Sequence, residues 1–333
     1  MVEAAKSRPV WRTVKKLQRE SKFSRQSPDS PSGEIEINGD KFKIEAIERS
    51  DSPELTEVQG LFERTFGKEE VDSEEILRAA VEGKTPFGTK DGVVYKVFVV
   101  KNAEGKVVST VTGGSLDLYD EQNKPTGKKM FMVAYAVTDK ECRQGGLARE
   151  AYTSAIMDSA IDAESDGKEL AFAAGEFTYT SENFWNKVGW SRSYMENPED
   201  PKKYEEVKYV QPALDFDEDT GLPAEGSGEA PEHLMIDSFG QQPPSKIDVM
   251  QTVRAFYRWN NIWPQEAFKD NPAAYQAHLD YNNKIADEFE GDLNNNGQLI
   301  FLTKEARERA RGKGLLFREY AAADHGQAGK EDF

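Results

Sequence analysis

Apolar and polar residues alternate from Glu34 to Arg49, in EIEINGDKFKIEAIER, around Asn38-Gly39. That dipeptide between alternating runs is the signature of a two-residue β-hairpin. The period then lengthens. In SPELTEVQGLFERTFG, Leu55, Val58, Leu61, Phe62 and Phe66 share one helical face, and Ser52-Pro53 marks the start. DSEEILRAAVEG reads as a second helix capped by Ser73. VVYKVFVVKNAEGKVVSTVTGGSLDLY gives two strands about a turn at Glu104-Gly105, and KMFMVAYAVT is apolar enough for the centre of a sheet. A helix beginning near Leu147 follows, with Leu147, Ala151 and Ala155 on one stripe and Tyr152, Ile156 and Ala160 beside it. ELAFAAGE is a short buried strand, and SENFWNKVGW is a short helix ending at Gly189. YEEVKYVQPALDFD is a strand broken near Pro212, and PEHLMIDS is a last strand.

The flanks differ from this body. Residues 1–33 end in the Ser/Pro/Gly run SRQSPDSPSG and are expected to be a disordered basic tail, with a short helix over WRTVKKLQRES as the alternative. Residues 241–333 are expected to be a helical C-terminal extension, rich in aromatics: Phe256, Tyr257, Trp259, Trp263, Phe268, Tyr275, Tyr281 and Phe289. These helices suit an acceptor pocket, a homodimer face or a small packed appendage. No internal repeat is present.

Charge separates the segments further. The tail carries eight Lys/Arg against three acids, whereas the whole chain has a net charge of −17, so the acidity sits in residues 34–240. An acidic body repels nucleic acid and attracts cations. No apolar run reaches the roughly 20 residues that span a bilayer, and the N-terminus lacks an apolar signal core. No membrane partner is therefore expected, and the default is a cytoplasmic protein. The single Cys142 excludes an internal disulfide framework and a cysteine-based zinc cluster.

The chemistry concentrates in VTDKECRQGGLAREAYTSAI, Val137 to Ile156. A helix N-terminus offers backbone N–H groups without intrahelical partners, and the helix dipole adds positive potential. An anion docks there when no side chain blocks its approach. Gly145, Gly146 and Ala148 clear the surface, and Arg143 adds a full charge. The segment suits a phosphate or diphosphate. It lacks the Gly-Lys-Ser/Thr ending of a Walker loop and the G-x-G-x-x-G of a dinucleotide fold. A Gly-rich turn with a structural role only is the alternative.

Arg143-x-x-Gly146-x-Ala148, after a strand and opening a helix, resembles the R/Q-x-x-G-x-G/A motif of the GCN5-related N-acetyltransferase (GNAT) superfamily. FWNKVGW, Phe184 to Trp190, resembles a second segment of that family, and the order of elements over residues 34–240 agrees. The resemblance implies an α+β, GNAT-like domain with a mixed, mostly antiparallel sheet flanked by helices. It implies acetyl-CoA, or another acyl-CoA, as co-substrate. The residues implied in binding it are Val137, Arg143, Gln144, Gly145, Gly146, Leu147, Ala148 and Trp185. The sheet would open between AYAVT and ELAFAAGE, with the thioester in the gap. The activity implied is transfer of an acetyl group to an amine by direct attack. The acidic body favours a cationic acceptor. A catalytically silent acyl-CoA sensor or scaffold is the alternative.

Two departures bear on this. Val137 to Arg143 is six steps, one more than usual in the family. The family often has a tyrosine that protonates the leaving thiolate where this chain has Trp185, and an indole cannot deliver that proton. Glu176, ending the strand that flanks the gap, is the expected base, and Tyr179 and Tyr194 are the replacement acids considered. Tyr135 points to the same region, with core packing as its expected role. No histidine lies near Cys142 in sequence, which argues against an acyl-cysteine route. Asp292, Asn294, Asn296 and Gly297 occupy EF-hand loop positions, but Thr303 stands where the bidentate Glu belongs, so no metal site is expected.

Overall fold

The computed structural model describes residues 9–20, 30–37, 39–67, 71–82, 94–120, 122, 124–143, 145–177, 181–213, 215–262, 268 and 270–319. Trp263 lies outside them. The elements run α1 (Pro9–Glu20), β1 (Gly33–Ile37), β2 (Asp40–Ile47), α2 (Glu54–Phe66), α3 (Glu74–Glu82), β3 (Val94–Lys101), β4 (Val107–Tyr119), β5 (Pro125–Thr138), α4 (Leu147–Ser165), β6 (Glu169–Phe177) and α5 (Glu182–Lys187). They continue as β7 (Ser191–Asn197), β8 (Asp200–Glu206), β9 (Lys208–Gln211), β10 (Ala230–Asp237), α6 (Lys246–Ile262), α7 (Pro272–Asn295), β11 (Leu299–Leu302), α8 (Lys304–Arg311) and β12 (Leu316–Arg318).

Among the described residues, one sheet holds all these strands, in the order β1-β2-β3-β4-β5-β6-β10-β7-β8-β12, with β9 on β10 and β11 on β7. Among the described residues, only β5–β6 and β8–β12 pair in parallel. The β5–β6 crossover is made by α4, as a parallel connection requires. This mixed, mostly antiparallel sheet flanked by helices is the fold class expected from the sequence.

The sheet buries both faces. On one, Phe98, Phe131, Val133, Phe177, Trp185 and Trp190 pack with α4. On the other, Val97, Val99, Met132 and Val137 pack with α2, α3, α6 and α7. Strands covered on both faces lose the polar alternation, which is why KMFMVAYAVT reads as nearly continuous apolar sequence.

Two expectations about the flanks need correction. Residues 9–20 are a helix, not a disordered tail. Val10, Trp11, Val14 and Leu17 are buried along one stripe, docked on the outer side of α4. Trp11 Nε1 donates to Glu164 Oε1 at 2.9 Å, and Arg149 Nη2 donates to Leu17 O at 3.2 Å. The C-terminal segment is not wholly helical either, because β11 and β12 extend the sheet. A buried ionic cluster holds it down: Arg307 on α8 meets Glu182 at 2.7 Å, and Arg192 meets Glu182 at 2.9 Å. The EF-hand-like residues serve structure. Asp292 and Asn294 are in the last turn of α7, and the Thr303 side chain caps α8 by accepting from Ala306 N–H.

Candidate functional site

The parallel pairing of β5 with β6 runs from Lys128↔Glu169 to Val133↔Gly175. Beyond that point the strands part. Glu176 and Phe177 continue against Leu234 and His233 of β10, while β5 continues against β4. The register between β4 and β5 shifts at Thr112/Gly113, which leaves Ala134 as the extra residue of a bulge. A bulge bends its strand and increases its twist, so it turns β5 away from β6. Two glycines make the parting sterically feasible. A Cβ on Gly113 would lie 1.9 Å from Met132 O, and one on Gly175 would lie 2.7 Å from Phe177 Cζ. We expect Gly113→Ala to cost about 2–3 kcal/mol of stability, since a backbone clash forces the bulge to shift. A chemical denaturation curve superimposable on the wild type would show that the backbones do not approach this closely.

From the end of β5 the chain enters the glycine-rich segment. Asp139 N–H donates to Val108 O at 2.8 Å, and its side chain accepts from Glu141 N–H. Lys140–Cys142 form one 3₁₀ turn between Val137 and Arg143. Arg143 is half-buried and its Nε donates to Thr138 O at 3.3 Å. Gly146 is the N-cap of α4, with φ 88° and ψ 14° in the left-handed region, and as a glycine it brings no capping side chain of its own. Glycine adopts that conformation without steric cost. Leu147 is buried beneath the turn and Ala148 is half-buried. A Cβ at Gly145 would meet Cys142 O at 3.5 Å and Ile37 Cδ1 at 3.7 Å, so packing does not demand a glycine there. Gln144 lies outside the described residues. An N-terminus capped by glycine, with Arg143 before it, fits the donor set a diphosphate needs. Burial, with Asp139 and Glu141 nearby, pushes the Cys142 thiol up, which disfavours the thiolate a nucleophile requires.

Two carboxyl–tyrosine pairs stand on the α6/α7 face where the strands part. On β6, Glu176 is half-buried and accepts a hydrogen bond from the Tyr209 hydroxyl of β9. On β5, the Tyr135 hydroxyl donates to Asp72 Oδ2 and accepts from Asp72 N–H, both at 3.1 Å. Phe62 and Phe66 flank the Tyr135 ring. Burial pushes the Asp72 carboxyl up, and pushes both tyrosine hydroxyls well above their ordinary range. Both phenols therefore stay protonated at neutral pH. Sequence reasoning named Glu176 and Tyr135 but missed Asp72 and Tyr209. Neither lies in a motif, and each acts through a partner far away in the chain.

Three other expected residues fare differently. Tyr179 lies outside the described residues. Tyr194 is not brought to Glu176. It is fully buried on β7, two strands from β6, beneath Phe317 with the Arg307 guanidinium 5.6 Å from its ring centroid. Trp185, expected to touch the coenzyme, is 3% exposed and sits in a ring cluster with Phe177, Phe184, Trp190 and Tyr152. It is a core residue under α4, because the apolar face of short α5 has nowhere else to be buried.

The same core holds a buried acid that no motif announces. Asp237 accepts from Phe239 N–H at 2.8 Å and from the Tyr152 hydroxyl at 3.1 Å. Burial outweighs these bonds and raises its carboxyl from 3.8 to about 6. Between those values the folded chain holds a proton that the unfolded chain has lost. Stability from this group therefore falls as pH rises through that window, by about 3 kcal/mol. Asp237→Asn is expected to flatten the decline and to raise the melting temperature at pH 7.5. An unchanged pH–stability curve would mean that Asp237 ionises as freely as a surface carboxyl.

No helix among the described residues is long and apolar enough to cross a membrane. No protein-family model and no curated protein matches the chain. Solved structures do. The chain is similar to a fungal multi-domain GH3 β-N-acetylglucosaminidase with a GCN5-related glucosamine N-acetyltransferase region, at 14% identity and a TM-score of 0.32. That match covers 48% of this chain and only 19% of the fungal one. An aminoglycoside acetyltransferase from an uncultured soil metagenomic sample matches at 18% identity and a TM-score of 0.32, over 44% of this chain and 86% of its own. The GNAT family N-acetyltransferase YhbS from Escherichia coli, in complex with CoA, matches at 18% identity and a TM-score of 0.30, over 44% and 67%.

Proposed function

We propose that this chain is an acyl-CoA-dependent N-acyltransferase, using acetyl-CoA to acetylate an amine. The observation that carries the reading is the continuity of β5, its turn and α4. A strand that parts from its parallel neighbour after Val133↔Gly175 leads on to a helix whose N-cap is Gly146. The turn suits a diphosphate and the parted strands suit an extended arm that pairs with β5 as an added strand. Residues assigned to the coenzyme are Val137, Arg143, Gln144, Gly145, Gly146, Leu147 and Ala148.

In this reading Glu176 takes a proton from the acceptor's ammonium, directly or through water. The freed amine attacks the thioester carbon to form the C–N bond. The resulting oxyanion is met by a backbone N–H near Val137. Its collapse breaks the C–S bond, the nitrogen releases its second proton, and the thiolate takes a proton from solvent. The acidic body favours a cationic acceptor.

The burial of Trp185 in the core favours a second reading. With no acid at that position, the chain would bind acyl-CoA as a sensor or scaffold without turning it over. One experiment separates the two. Calorimetry and melting temperature report CoA binding, and release of free thiol against a panel of amines reports transfer. Binding with turnover supports the enzyme, and binding without turnover supports the sensor. Failure of CoA to bind at all rejects both.

A further inference from the structure

The aromatic helices of the C-terminal segment do more than pack. Tyr209, whose hydroxyl donates to Glu176, is itself fully buried. Its ring is held by Phe256 and Tyr257 of α6 and Phe289 of α7, with centroids 6.0, 5.9 and 6.4 Å away. The Tyr257 hydroxyl donates to Val210 O at 2.5 Å, which ties α6 to the strand that carries Tyr209. Tyr257 from α6 and Glu232 within β10 act on Tyr209, and Glu229 before β10 and Tyr281 of α7 act on Tyr257. A hydrogen bond donated to a carboxylate favours its ionised form, and Tyr209 donates one to Glu176.

We propose that Tyr209 is a positioning residue for Glu176, and that α6 and α7 serve catalysis by fixing Tyr209. This rests on the acyltransferase reading above. Two roles follow from one hydroxyl. It holds the carboxylate in a single orientation at the parting of the strands, and it stabilises the charged form that accepts the acceptor's proton. The ring cage matters because a phenol can hold a partner in place only when its own rotamer is fixed.

The test uses the full chain, with thiol release measured against pH for the best amine of the panel. Tyr209→Phe keeps the ring and its cage and removes only the hydroxyl. The expected result is a ten-fold or greater fall in kcat, an unchanged KM for acetyl-CoA, and an acidic limb of the kcat profile displaced to higher pH. A second variant, Phe289→Leu, loosens the cage and keeps the hydroxyl. It is expected to lower kcat less, with no change in coenzyme affinity. If Tyr209→Phe keeps the wild-type kcat and pH profile, the positioning role is overturned while the enzyme reading stands. A loss of kcat without displacement of the pH profile, matched by a loss of folded protein, also overturns it. If the wild type turns over no amine, the enzyme reading fails, and this proposal fails with it.

Discussion

Replacing Glu176 with glutamine should lower thiol release by about 10²–10⁴-fold, the range that a positioned general base contributes. The substitution preserves shape. The Tyr209 hydroxyl can still donate to the amide oxygen at the same place, so packing on β6 and β10 is kept. The acetyl-CoA dissociation constant should not change, because the residues assigned to the diphosphate lie on the β5–α4 turn and not on β6. The effect would therefore fall on kcat, with the melting temperature close to that of the wild type. Turnover within three-fold of the wild type would remove Glu176 as the base and shift attention to Asp72. Asp72 holds Tyr135 on the other arm of the parted strands, with its carboxyl pushed up by burial. A carboxyl at the same parting, with its proton affinity raised by burial, is the natural second candidate.

Trp11→Ala should destabilise the fold by about 3–5 kcal/mol, the usual cost of deleting a large buried aromatic. Trp11 is 7% exposed, and its indole N–H meets Glu164 near the far end of α4. The change would therefore leave a void and take one donor from Glu164. Since α1 covers α4 along its length, from Glu164 back to Arg149, the loss should appear as a lower urea midpoint with an unchanged slope. A cost under about 1 kcal/mol would mean that α1 does not stay docked in solution.

The docking of α1 was legible in part. Val10, Trp11, Val14 and Leu17 recur at helical spacing, and α4 is apolar on two sides, with Leu147, Ala151, Tyr152, Ile156 and Met157 all buried. A helix that is apolar nearly all round needs a second cover. The tail's basic charge and the following Ser/Pro run point the other way, toward a solvated segment. The short strands LIFL and LFR carried less information still. Four or three residues of strand are stable only when paired, so their existence depended on β7 and β8 being within reach.

The candidate site divides along the same line. Sequence by itself determined the order of elements from β1 to α5, the central strand and the glycine-opened helix. These follow from local backbone physics: hydrophobic periodicity, and a residue that takes φ 88° without strain. Tertiary structure alone decided which side chains meet where β5 and β6 part. Tyr209 lies 33 residues from Glu176, and Tyr135 lies 63 residues from Asp72. Such pairs are set by strand register and by which face each element buries, and a shift of one residue would turn each side chain to the opposite face. The same long-range packing sent Trp185 into the core and Tyr194 beneath Phe317, since burial of a large ring is settled by the neighbours available to cover it.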